Sequence, residues 1–157
     1  MYVGKSATVF KCPGDHSTAP VGGVAMPGAR SISMNSYVGN PTRTYNGSTK
    51  YALCNKLPQV MSPASMFVTL DEHSGTINDG CFFTAPEILY QLVDYPAAYH
   101  ANGWGFSFAD GHSEIHKWQD LATCPPPSGY LLFNVNLPGD KDVLWLSQHA
   151  IGAASYP

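Results

Sequence analysis

At 157 residues the chain suits a single domain burying roughly 70% of the surface its unfolded form exposes, and it is too short for two comfortable ones. Only 12% of the residues are charged and the net charge is −3, which excludes a basic patch for nucleic acid or anionic lipid. No run of about 18 apolar residues occurs, and the opening stretch MYVGKSATVFKCPGD lacks the apolar core of a secretory signal.

Along the chain, short β-type runs alternate with Gly, Pro, Asn and Asp clusters, the pattern of a mainly antiparallel sheet with long loops. ATVFKC (7–12) predicts a strand ending at Pro13-Gly14-Asp15, and residues 13–30 predict a loop. SISMNSYVGN (31–40) and STKYALCN (48–55) predict strands, the second after an Asn46-Gly47 turn. A helical turn is expected from Ser62, with Pro63 at its first position. MFVTLDE (66–72) reads as a buried strand running into the acidic loop DEHSGTINDG (71–80). PEILYQLVDY (86–95) is a short helix candidate. DKDVLWLSQHA (140–150) predicts a helix, with Asp140 or Asp142 able to accept from its first free N–H groups. The fold class that follows is α+β, mainly β, with residues 1–157 as one domain.

The segment YHANGWGFSFADGHSEIHKW (99–118) holds the most chemistry. An Asp110-Gly111 loop of two residues favours a type I′ turn with positive φ at both positions. It would set Ala109 opposite His112, Phe108 opposite Ser113, Ser107 opposite Glu114 and Phe106 opposite Ile115. Trp104, Phe106, Phe108 and Ile115 would then face the core, with Ser107, His112, Glu114 and His116 on the wet face. His100 lies ten residues before Asp110, roughly 33 Å along an extended strand, so the two cannot pair without a bend, which Gly103 and Gly105 could supply. The simpler reading buries His100 on a backbone partner at the far end of the sheet. His112 and His116 would stand about 13 Å apart on a strand, too far to share zinc.

Cys12, Cys54, Cys81 and Cys124 are scattered, with no C-x-x-C pair, so a zinc knuckle or thioredoxin-type site is not indicated. With thirteen prolines, fifteen glycines and nine tyrosines, the composition describes a loop-rich, extracytoplasmic type of surface, where an even set of cysteines predicts disulfides in one of three pairings. The other reading is four buried thiols. Asp71, Glu72, Asn78 and Asp79 gather oxygen ligands of the kind Ca²⁺ takes, and Asp110 would join them if the hairpin tip folded alongside. DEHSGTINDG lacks the D-x-D-x-D-G spacing of a compact calcium loop.

His100, nine intervening residues and Asp110-Gly111 resemble the H-x9-DG signature of a family of prepilin-type proteins similar to type II secretion pseudopilins and type IV pilins. VFKCPGD (9–15), SISMNSYVGN (31–40), FVTLDEHSGTINDGCF (67–82), YPAAYH (95–100), FSFADGHSEIHKW (106–118) and DVLWLSQHA (142–150) are similar to that family's blocks, in the same order. The resemblance implies a pilin-like head domain with His100, Asp110 and Gly111 as a structural motif. It implies a subunit of a pseudopilus or type IV pilus-like filament, with like subunits as partners, on the periplasmic or extracellular face of the cell envelope. Calcium in a C-terminal loop of similar pseudopilins adds to the Ca²⁺ expectation. The family's basic leader, glycine-aromatic boundary and long apolar helix do not occur in this sequence, so it reads as the C-terminal globular part, with membrane contact only through that absent segment.

Two rival functions follow from residue types alone. A secreted hydrolase would have to assemble its site from Glu72, His73, His100 and Asp110, with Ser74 as nucleophile, because no G-x-S-x-G, H-E-x-x-H or glycine-rich phosphate loop is present. A carbohydrate-binding module would present Trp104, Trp118 and Trp145 as exposed, coplanar rings.

Overall fold

The computed structural model describes residues 4, 6–39, 51, 53–129 and 131–152. Among these, the strands are β1 (Thr18–Val21), β2 (Val24–Pro27), β3 (Ile32–Asn35), β4 (Phe67–Asp71), β5 (Cys81–Phe82), β6 (Gln91–Leu92), β7 (Gly103–Phe108), β8 (Ser113–Lys117) and β9 (Val135–Asn136). One α-helix, α1 (Lys141–Ala150), follows them. The central sheet has the order β5-β3-β4-β7-β8. All its pairings are antiparallel except β3 with β5. The described residues are thus mainly β, with one helix and two short 3-10 turns.

β4 follows from its sequence: the run FVTLD buries Phe67 and Leu70, with a register shift between Phe67 and Thr69 against β7. Trp104, Phe106 and Phe108 alternate inward from β7 and meet Phe67, Leu70 and Phe82 in one apolar cluster. Phe67 and Phe106 stack edge to face at 5.2 Å, the arrangement that adds to area burial for aromatic pairs. α1 closes this side with Val143, Leu146 and Ala150. Asp140 is its N-cap, accepting from the N–H groups of Asp142 and Val143 at 2.9 Å each. At the other end, Asn35 donates to the carbonyls of both Phe67 and Ala150 at 2.8 Å, so one buried amide joins β3, β4 and a helix C-terminal carbonyl that lacks an intrahelical partner.

The structure corrects the hairpin by one residue. Ser107 opposes Ser113, Phe106 opposes Glu114 and Trp104 opposes His116. The Phe108 N–H donates to the His112 carbonyl, so three residues, Ala109, Asp110 and Gly111, form the loop. Only Gly111 has positive φ, at 95°, as expected for a three-residue loop with one left-handed position. A slip of one residue exchanges the faces of a strand. His112 and His116 therefore join the side of Trp104 and Phe108, while Ile115 is 53% exposed on the other. Trp145 on α1 packs on this side, its ring 4.1 Å from that of His116 and 5.0 Å from that of Phe106.

Other local expectations also change. Residues 7–10 form a 3-10 turn rather than a strand. The expected loop 13–30 contains the hairpin β1–β2, turned at Gly22-Gly23. No helix forms at 62–66, where Ser65 N–H bonds Ser62 O in a single turn. The 86–95 helix is replaced by two successive turns ending at Tyr90, whose φ of 62° stops helical propagation, and by β6, which pairs with β9. Asn46-Gly47 and most of 48–55 lie outside the described residues. No disulfide joins Cys12, Cys54, Cys81 and Cys124 in this structure. They belong to separate neighbourhoods: Cys12 lies beside His100, Cys54 against the Gln59 carbonyl, Cys81 on β5, and Cys124 against the Pro125 carbonyl.

Candidate functional site

One face of the central sheet is filled by the aromatic core and α1. The opposite face carries Ile32, Thr69, Asp71, Gly105, Ser107 and Ile115, and borders an open groove of about 640 Å³ that His100 also lines. Three chain segments meet at its end. Cys12 is held by a CPGD turn, in which Asp15 N–H bonds the Cys12 carbonyl at 3.0 Å and Gly14 N–H approaches the Cys12 sulfur at 3.4 Å. The Cys12 N–H bonds the Ser31 hydroxyl at 2.7 Å, docking this turn beside β3. Asp71 ends β4 opposite Ile32. His100 sits just before β7, where Ala101 and Asn102 both take left-handed backbone, with φ of 51° and 57°. Lys117 secures that bend by donating to the carbonyls of His100 and Ala101.

His100 Nε2 lies 2.8 Å from Asp71 Oδ2 and 3.4 Å from Cys12 Sγ. The Gly105 N–H bonds the same carboxylate oxygen at 3.1 Å. Glycine suits that place, because a Cβ on residue 105 would crowd Asp71 Oδ2 at 3.0 Å and lie 3.8 Å from His100 Nε2. Cys12 and Asp71 are each only 6% exposed, whereas the His100 side chain keeps 32% of its surface open. Burial pushes the Cys12 thiol above its ordinary value; the Gly14 N–H opposes this and the Asp71 charge adds to it. Among the described residues this is the one group of three or more His, Cys, Asp and Glu side chains whose ligand atoms converge, all within 4.8 Å of one another.

The geometry separates two kinds of chemistry. A thiol-imidazole-carboxylate relay uses both ring nitrogens, one toward the nucleophile and one toward the carboxylate. Here a single nitrogen faces both partners, which is the arrangement of donor atoms around a common point. His100 is therefore bonded to a side chain and partly open, where the sequence suggested a buried histidine on a backbone group.

The remaining expected site residues have other partners. Glu72 is 1% exposed. Burial raises its carboxyl to about 8, the nearby Asp94 adds to this, and bonds from Ser33 and Thr76 oppose it. His73 accepts from Gly75 N–H at Nδ1 and donates from Nε2 to the Pro126 carbonyl, so both nitrogens are spent on structure. Ser74 pairs with Tyr99. Asp110 binds His112 at the exposed hairpin tip, 2.6 Å from its Nδ1, and Asp79 accepts from Cys81 N–H. Among the described residues, the carboxylates of Asp71, Glu72, Asp79 and Asp110 do not converge as a group of three or more, and Asp110 at the hairpin tip lies at the other end of β7 from His100. Trp104 and Trp118 are 0% and 5% exposed and meet at a tilt of 52° with centroids 4.7 Å apart, which removes the exposed ring platform a carbohydrate module needs. No protein-family model matches this chain, and neither the curated proteins nor the solved structures provide a match.

Proposed function

We propose that this chain is the head domain of a subunit of a pseudopilus or type IV pilus-like filament in the bacterial cell envelope. The observation that carries this reading is the uncovered sheet face. Met34 is 43% exposed, Ile115 53% and the adjacent Phe10 48%, while the other face of the same sheet is closed by α1 and the aromatic core. Apolar side chains left exposed on an open sheet face are a feature of interaction surfaces. In this reading they receive an apolar helix, and like subunits assemble through such helices. The spaced His100 and Asp110-Gly111 bracket β7: His100 anchors its start through Asp71, and Gly111 turns its end.

Immunogold labelling with antibody raised against this chain, applied to filaments sheared from the producing cells, tests the proposal. Continuous labelling along filaments is expected, together with their loss when Met34→Asp and Ile115→Asp are introduced. Unlabelled filaments, or a chain recovered only as free monomer, would overturn it.

A further inference from the structure

We propose that Cys12, Asp71 and His100 form a zinc site, with the fourth coordination position taken by water from the groove. Three observations converge on it. A thiol, an imidazole nitrogen and a carboxylate oxygen point at one small volume. The Nε2–Oδ2 and Nε2–Sγ separations are 2.8 and 3.4 Å. Tetrahedral zinc with ordinary bond lengths needs about 3.4 Å for an N–O edge and about 3.6 Å for an S–N edge, so these two edges have to open by no more than about half an ångström, and the third, within 4.8 Å, has to settle near about 3.6 Å.

The surroundings are also those of a metal site. Gly14 N–H points at the sulfur and Gly105 N–H at the carboxylate oxygen, the kind of outer hydrogen bonds that orient metal ligands. Residue 105 has no Cβ to fill the space beside Asp71 and His100. The donor set selects the ion. Thiolate and imidazole suit zinc rather than calcium or magnesium, which take mostly oxygen ligands.

Zinc would take the place of the proton that His100 Nε2 directs at Asp71 and of the proton on the Cys12 sulfur. The Cys12 thiol releases its proton to solvent and becomes the thiolate ligand, while the His100 proton moves from Nε2 to Nδ1 and frees the Nε2 lone pair. The ion would join the segments carrying Cys12, Asp71 and His100, which are separated by up to 88 positions in sequence, so binding should stabilise the folded chain through mass action.

The test uses the purified, reduced chain with Co²⁺ as spectroscopic probe and Zn²⁺ as competitor. One equivalent of Co²⁺ should give tetrahedral visible bands and a near-ultraviolet thiolate-to-cobalt charge-transfer band, and Zn²⁺ should abolish both and raise the melting temperature. Cys12→Ser should remove the charge-transfer band. His100→Ala and Asp71→Asn should weaken Zn²⁺ binding tenfold or more, and Cys124→Ser should change nothing. A folded parent chain without the band, or binding that survives Cys12→Ser and His100→Ala with equal affinity, overturns the proposal and marks any bound metal as adventitious. If Cys12→Ser does not fold, alkylation of the parent chain decides. Zn²⁺ must protect Cys12 and leave Cys124 reactive; equal protection, or none, refutes the site.

Discussion

Two histidine–aspartate pairs of nearly equal length occupy opposite faces of the same sheet, and their surroundings give them different work. His116 Nε2 lies 3.0 Å from Asp142 Oδ1, with the side chains 10% and 1% exposed. Its ring is packed against Trp104 and Trp145. The Asp142 carboxylate also accepts from the N–H groups of Gln119 and Asp120, so it has no capacity left for a ligand. This pair fastens α1 to the end of β8. His100 and Asp71, 2.8 Å apart, are more open and stand beside a thiol and a groove. Identical residue types therefore mark a clamp where every lone pair is filled, and a candidate site where donors still converge on unfilled space.

The largest expected effect breaks the clamp. Asp142→Ala should cost about 3–5 kcal/mol in urea unfolding, because it strands the His116 ring and the N–H groups of Gln119 and Asp120 in a buried place. Asp71→Ala in the metal-free chain should cost only about 1–2 kcal/mol. Equal losses would erase the distinction between the pairs. Although burial opposes it, bonds from His116, Asp120 and Gln119 hold the Asp142 carboxyl below its ordinary 3.8. Its folded value is thus the lower one, and its contribution is present above pH 3.8 and lost as the pH falls through the folded value. Asp142→Asn should remove that acid-dependent loss from the unfolding profile.

Glu72 sharpens the contrast, being a buried carboxylate with no histidine. Its Oε2 has no hydrogen-bond partner. Its folded value of about 8, and that of about 7 for Asp94, stand above the ordinary 4.5 and 3.8. The folded chain therefore keeps protons that the unfolded chain releases. The stability this provides is full below the ordinary values and is lost as the pH rises to the folded ones. Glu72→Gln should gain on the parent chain between about pH 5 and 8, reaching about 2–4 kcal/mol, as read by denaturant midpoints across that range. A constant difference would show that Glu72 is not held protonated.

Smaller effects probe the hairpin that connects the two pairs. Gly111→Val should cost about 1–3 kcal/mol, because a β-branched residue is strained at a φ of 95°. Circular dichroism melts of this variant should show the loss. Ala101→Gly should stabilise by about 0.5–1 kcal/mol by relieving the left-handed alanine beside His100. A destabilised Ala101→Gly would mean that the bend before β7 is not strained.

Local chemistry was enough for the sequence to predict β4, the β7–β8 hairpin and α1. An uninterrupted apolar run, a turn dipeptide between β-prone segments and an Asp140 cap act within a few residues. The register of the hairpin was not legible, because a two-residue and a three-residue loop share the Asp-Gly signal; packing of Trp145 against His116 and Phe106 accompanies the one observed. The convergence of Cys12, Asp71 and His100 was equally hidden. Each residue is ordinary in its own segment, and no spacing rule spans 88 positions. Sequence by itself determined that β4 extends, that the chain turns at Asp110-Gly111 and that Asp140 caps α1, since these choices depend on neighbouring atoms in the chain. Only the tertiary structure decided which side of the sheet each histidine faces and which donors share a point, because those depend on register and on which strands become neighbours.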